Sequence, residues 1–247
     1  MSEVANQSWS IVVLCFNEAE NIVRVIQHVQ AKLALISNPQ GEIIVVNDGS
    51  SDNSDAVIRG LLDEPQHKNI KYIHHPINLG IGKALHSGYR QATGDNVVMI
   101  PGDGQFDLGE LLPYKNIPER TIIAFYRVEN TTYTLSRNIL SLFNNVLNWL
   151  FIGLKLKDVN WVKVYKNNAL QDLELEITSS LVESEICSKL MYLGHQAIEV
   201  KSKYLPRQAG KSKGASWAIV KQAVIDIPRL ILVFRRFKRK NKNKLSK

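Results

Sequence analysis

The sequence predicts an α/β protein whose mostly parallel sheet is covered by helices on both faces, and three observations predict it. Short, nearly continuous apolar runs alternate with segments of helical periodicity through the first half of the chain. Apolar runs without polar alternation are strands buried on both faces, the signature of a parallel sheet. Carboxylates and amides follow directly after three of these runs, at the strand ends where ligands bind on such sheets.

The elements follow in order. Ser10–Phe16 is an apolar β-type run. Ala19–Ile36 carries Ile22, Val25, Ile26, Val29 and Leu33 at helical spacing. Glu42–Val46 is a second strand and Ser54–Leu62 a second helix; "IKYIHH" and Ile81–Ala92 repeat the pair, and "NVVMI" is a fourth strand stopped by Pro101 and Gly102. The second half is less regular. "TIIAFYR" is a strand ending at Arg127, Leu135–Leu154 a long amphipathic helix, "VNWVKVYK" an alternating strand, Thr178–Leu193 a helix and "AIEVKSKYL" a strand.

Composition narrows the function classes. The hydrophobic share of 45% and charged share of 22% are those of an ordinary globular chain. Cys15 and Cys187 stand far apart, giving neither a disulfide framework nor a zinc signature, which fits a reducing compartment. His74 and His75 are adjacent on a strand and point to opposite faces, so they do not share a metal. The N-terminus has no signal-peptide pattern, and no run reaches the roughly 18 apolar residues of a spanning helix. The net charge of +8 belongs to the tail: residues 235–247 hold eight Lys/Arg and no acid, leaving 23 basic against 23 acidic residues before them.

The strand ends carry the chemistry. The first runs into Asn17 and Glu18, the second into Asn47, Asp48, Gly49 and Ser50, and the fourth into Gly102, Asp103, Gly104 and Gln105. Asp52 reads as a cap of the second helix, whereas Asp48 and Asp103 together read as a binding site.

Four stretches now line up. "IVVLCFNEAENI" (11–22), "EIIVVNDGSSDNS" (42–54) and "NLGIGKALHSGYRQATGDNVVMIPGDGQFD" (78–107) resemble the successive motifs of family 2 glycosyltransferases. "SKYLPRQAGKSK" (202–213) resembles the P-x-x-x-x-x-R-x-x-G-x-S-K end of their dolichol-phosphate mannose synthase branch, whose acceptors are polyprenyl phosphates. The resemblance implies the GT-A fold, a Rossmann-like sheet, and inverting transfer from a UDP- or GDP-linked sugar with a divalent cation, Mg²⁺ or Mn²⁺. It places Asn17, Glu18, Asp48, Gly80, Gly82 and Asp103 on the donor nucleotide, with Asp103 and Gln105 on the metal and Arg127 near the diphosphate or acceptor phosphate. The glycines would let backbone approach the nucleotide. A metal held by oxygen ligands would stabilise the charge left on the diphosphate.

The sequence departs from the pattern in places. Pro101 occupies the position of the first Asp of D-x-D, Asn47 that of the first Asp of the D-D-G-S turn, and Leu14 that of a proline. Loss of one metal-side carboxylate weakens the expected metal site and also motivates a sugar-nucleotide binder without turnover.

Two acceptor chemistries stay open. A lipid phosphate is already ionised and needs cations; the candidates are Arg137, Lys163, Arg207, Lys211 and Lys213. A saccharide hydroxyl needs a carboxylate base; the candidates are Asp107, Glu183 and Glu185, and the catalytic set is read as Asp103, Arg127 and Glu185. The expected organisation is a transferase domain over 1–215 and, over 216–247, an amphipathic helix that Pro228 kinks or ends, followed by the basic tail. That extension would bind an anionic membrane surface peripherally, on its cytoplasmic side. A nucleic-acid partner is not expected, since no recognition module precedes the tail.

Overall fold

The computed structural model describes residues 7–37, 41–67, 69–128, 149–207 and 217–242. Its strands are β1 (Trp9–Cys15), β2 (Glu42–Asp48), β3 (Ile70–His75), β4 (Asn96–Pro101), β5 (Thr121–Arg127), β6 (Lys163–Lys166) and β7 (Gln196–Ser202). Its helices are α1 (Ile22–Ile36), α2 (Ser54–Leu62), α3 (Ile81–Arg90), α4 (Asn167–Gln171), α5 (Val182–Tyr192) and α6 (Trp217–Asn241). The strands form one sheet in the order β3-β2-β1-β4-β6-β5-β7. The first four run parallel, β6 lies antiparallel between β4 and β5, and β7 is parallel to β5.

Period-2 alternation sorts the apolar strands onto two faces. Val12, Ile44, Val46 and Val97 pack on one face with Leu85 and Tyr89 of α3, Ile186 and Leu190 of α5, and Phe234 of α6. Ile11, Val13, Ile43, Val45 and Val98 pack on the other with Ile22, Ile26 and Val29 of α1 and Ile58 of α2. Covering both faces is why these strands are apolar throughout, as expected. Strand β1 sits between β2 and β4, with Val12 in register with Ile44 on one side and Met99 on the other.

One expectation changes and another narrows. The alternating run 159–166 pairs only over Lys163–Lys166. The buried Lys163 ammonium turns back to donate to the carbonyls of Val159 and Trp161, so the residues before it wrap the amine as a loop. Pro228 does not end the C-terminal helix but lies inside it, on an exposed position. Leu230, Val233 and Phe234 are buried beyond it, each worth about 1.5–3 kcal/mol, which together exceeds the roughly 3 kcal/mol a helix-interior proline costs. Helix α6 is thus fixed to the core, with Tyr192 of α5 edge-on to both Phe234 and Phe237. Most of the long helix expected over Leu135–Leu154 lies outside the described residues, and 149–152 are helical. Among the described residues no helix is long and apolar enough to cross a membrane.

The amino ends of β1, β2 and β3 are tied by Glu42, which pairs with Lys71 at 2.6 Å and accepts from Ser10 Oγ and from the Thr93 amide and hydroxyl. Burial works against its charge, but these donors win and hold its pKa below the ordinary 4.5. A depressed carboxylate stabilises the fold above its unfolded pKa and loses that contribution as the pH falls through the folded value. Glu42→Gln is therefore expected to lower unfolding free energy by about 1–2 kcal/mol at neutral pH. The gap should close as denaturation is followed into acid below 4.5; a constant gap would show that the charge contributes nothing.

Candidate active site

The carboxyl ends of β1, β2 and β4 share one edge of the sheet, and their polar residues first fasten the loops there. Asn17 adopts a left-handed backbone, φ 55°, which asparagine tolerates. Its side-chain oxygen accepts the Ser51 and Asp52 amides at 2.6 and 3.2 Å, joining the end of β1 to the turn after β2. Asp52 accepts the Ser54 amide at 2.9 Å at the start of α2 and also the Ala19 amide at 3.1 Å.

Asp48 is buried and engaged from three sides. It pairs with His75 Nδ1 at 2.7 Å and accepts the Leu79 and Gly80 amides at 3.0 and 2.9 Å. His75 Nε2 in turn lies 2.9 Å from Ser87 Oγ on α3. His74 instead faces Asp55 of α2, on the other side of the strand. Gly80 has φ 88°, a conformation open to glycine, which lets its amide reach Asp48 as the chain enters α3. Gly82 serves a different close approach from the one expected. A Cβ there would lie 2.2 Å from the Thr178 carbonyl carbon and oxygen, so the chain's own 178–179 backbone occupies that space.

At the end of β4, Asp103 Oδ1 accepts the Gln105 amide at 3.1 Å, and its Oδ2 lies 3.6 Å from Arg207 Nη1. The other side of that guanidinium donates to Glu18 Oε1, whose second oxygen accepts from Asn21 at 2.8 Å. Burial raises the Asp103 pKa, opposed by the Gln105 amide and the Arg207 charge. The segment after β7 straps this corner: the Leu205 amide donates to the Gln105 carbonyl at 3.0 Å and Tyr204 Oη to Gln105 Oε1 at 2.9 Å. Tyr204 stacks edge-on against Trp161, and Arg127 lies over both rings while forking onto Asp158 at 2.7 and 3.0 Å. A continuous line therefore runs from Glu18 through Arg207, Asp103, Gln105, Tyr204 and Trp161 to Arg127.

Other expected site residues lie elsewhere. Glu185 is fully buried in α5, where its oxygens take the Glu176 and Ile177 amides and the Lys189 ammonium at 2.6 Å. That role fastens the loop before the helix, and it leaves no lone pair aimed at a substrate proton. Lys163 is spent on backbone carbonyls, as above, and does not face an acceptor. Arg137, Lys211 and Lys213 lie outside the described residues. The sequence reading missed His75, Tyr204, Trp161 and Asp158; the signal for the last two was present in "DVNWVKVYK", beside the strand bearing Arg127.

The donor set fits a divalent cation poorly. Pro101 offers no side-chain ligand, the Gln105 side-chain oxygen is taken by Tyr204, and Asp103 has a guanidinium against its second oxygen. Among the described residues no three His, Cys, Asp or Glu side chains converge as a metal site.

The profile of Glycosyl transferase family 2 matches residues 10–160. The undecaprenyl-phosphate 4-deoxy-4-formamido-L-arabinose transferase of Yersinia enterocolitica is 34% identical over 96 residues, 39% of this chain and 29% of that protein. The poly-beta-1,6-N-acetyl-D-glucosamine synthase of Staphylococcus epidermidis is 31% identical over 98 residues, 40% of this chain and 22% of that protein. The matched stretches thus span less than a third of these relatives. In fold, the chain is similar to a Pyrobaculum calidifontis mannosyltransferase solved with GDP-Man and Mn²⁺, at a TM-score of 0.60 and 14% identity over 98% of this chain and 78% of that one.

The three bonds to Asp48 give a testable loop fastening. Asp48→Ala is expected to speed hydrogen exchange at the Leu79 and Gly80 amides and to destabilise the protein by about 1–3 kcal/mol. Unchanged protection at both amides would show that the loop is held by other means.

Proposed function

The chain belongs to glycosyl transferase family 2, and on that premise we propose that it moves a sugar from a UDP- or GDP-linked donor to a polyprenyl phosphate, with inversion. The observation that carries the reading is the joining of Asp103, Glu18 and Arg207, because it sets a cation at the carboxyl ends of β1 and β4. In the reaction the bond from the anomeric carbon to the diphosphate breaks and its electron pair stays on the diphosphate. An ionised acceptor oxygen attacks from the opposite side and forms the new bond, and no proton moves. Asp48, Gly80 and Asn17 would frame the nucleoside side of the cleft, while Arg207 and Arg127 would face the phosphates. A Mg²⁺ or Mn²⁺ ion arriving with the diphosphate would have Asp103 as its single carboxylate, and the reading does not depend on it.

The state of the candidate bases supports a phosphate acceptor over a saccharide hydroxyl. Glu183 is buried and accepts from the hydroxyls of Tyr89 and Tyr165, and Glu185 is occupied as above. Asp107 accepts the Gly109 amide at 2.8 Å and pairs with His28 at 3.3 Å. An acceptor that brings its own negative charge needs none of them. One relative is named for transfer to undecaprenyl phosphate, and another for making a polysaccharide, the alternative class.

We place transfer in residues 1–215 and membrane contact in 216–247. Helix α6 carries exposed Arg235 and Arg239, and Lys242 follows it, so this side of the fixed helix is basic. Such a surface would attach peripherally to anionic lipid, each cation adding on the order of 1 kcal/mol. The two free, buried cysteines are compatible with the cytoplasmic side.

The full chain, incubated with labelled UDP- and GDP-sugars and polyprenyl phosphate, is expected to transfer label into the organic phase. Asp103→Ala should lower the rate at least ~100-fold. Label in a water-soluble glycoside would point to a saccharide acceptor, and nucleotide binding without product to a silent enzyme. Separately, exchanging Arg235, Arg239 and Lys242 for glutamine should weaken binding to anionic vesicles, as should high salt. Undiminished binding by that variant would take α6 out of the membrane reading.

A further inference from the structure

The resemblance implies a divalent cation beside the donor diphosphate, yet the chain sets one of its own cations there. Arg207 closes on the one carboxylate at the end of β4, with Nη1 3.6 Å from Asp103 Oδ2, and its Nη2 donates to Glu18. Its side chain is only 13% exposed. Two carboxylates around one guanidinium hold it in place, while the Tyr204–Gln105 and Leu205–Gln105 hydrogen bonds fix the strap that delivers it. A dication taking Asp103 Oδ2 as a ligand would have to displace the guanidinium already set against that oxygen. The position from which the family's first carboxylate would compensate is Pro101.

We propose that Arg207 takes the place of the divalent cation, so that this chain binds the donor's diphosphate, and stabilises it as it leaves, without metal. A guanidinium suits this role because it keeps its charge at all working pH values, is weakly hydrated and grips phosphate oxygens two at a time. Asp103 and Glu18 are then positioning residues that aim the guanidinium. The inference rests on the nucleotide-sugar reading above and adds to it the identity of the charge that holds the diphosphate.

The test is titration calorimetry of the full chain with UDP and with GDP, each in EDTA and in Mn²⁺, for wild type, Arg207→Ala and Arg207→Lys, with circular dichroism to check folding. The expected result is that one nucleotide binds wild type with the same affinity in EDTA as in Mn²⁺. Arg207→Ala should weaken binding in EDTA at least ~tenfold, as befits loss of a charge-assisted fork, and Arg207→Lys by less. If Arg207→Ala proves unfolded, Arg207→Lys carries the comparison, since a lysine at a bidentate site should still bind measurably more weakly than wild type. Wild-type binding that requires Mn²⁺, or binding in EDTA that is indifferent to a folded Arg207 variant, would overturn the inference and leave the donor reading standing. Binding of neither nucleotide in either buffer would overturn both.

Discussion

Strand β1 is hydrogen-bonded in parallel along both edges and is apolar on both faces, and this double burial sets the position of everything the site uses. A strand held on four sides has no freedom to slip in register, because a one-residue shift would turn each apolar set to the wrong face. Its end therefore delivers Asn17 and Glu18 between the ends of β2 and β4, and the chain must leave those ends in opposite directions across the sheet. The crevice formed there is where a doubly covered parallel sheet admits ligands. The aromatic wall of Trp161 and Tyr204 and the strap at 204–207 then complete one side of it.

Polar side chains at this edge act first on one another. Asn17 fastens the 50–52 turn, Asp48 the 79–80 turn, and Asp103 the 103–105 turn. Each bond satisfies a backbone amide that would otherwise stand unpaired in partly buried surroundings. A cleft with its loops fixed in advance loses less conformational entropy when a ligand enters. Residue types that suit phosphate and sugar recognition are also good turn fasteners, so both uses rest on the same side chains.

The first four strands and three helices were legible because their signals are local. Continuous apolar runs and 3.6-residue spacing depend on neighbours a few positions away, and the boundaries fell within a few residues of those expected. What was not legible depends on distant partners. Nothing near Gly82 announces that Thr178 will press against it, and nothing near Lys163 announces a cage of carbonyls. Whether the helix kinks at Pro228 or ends there is not legible until the burial of Leu230, Val233 and Phe234 is known. Glu185 and Glu183 read as candidate bases because a carboxylate's sequence context does not reveal its hydrogen-bond donors. Asp103 was recognised from its strand end, while its link to Arg207 spans nearly half the chain.

The position of β6 in the sheet has a consequence for how the molecule is made. Strand β5 pairs only with β6 and β7 among the described strands, and both are synthesised after it. The first four strands, by contrast, complete their mutual pairing by residue 101. On the ribosome an early half-sheet can therefore assemble while β4 presents an open edge and β5 waits unpaired, each a template for pairing with another chain. The four-residue β6 covers the open side of β4 and one edge of β5 at once, and β7 covers the other edge of β5 later. The shortest of the described strands is thus the one that joins the early half-sheet to the late one during synthesis.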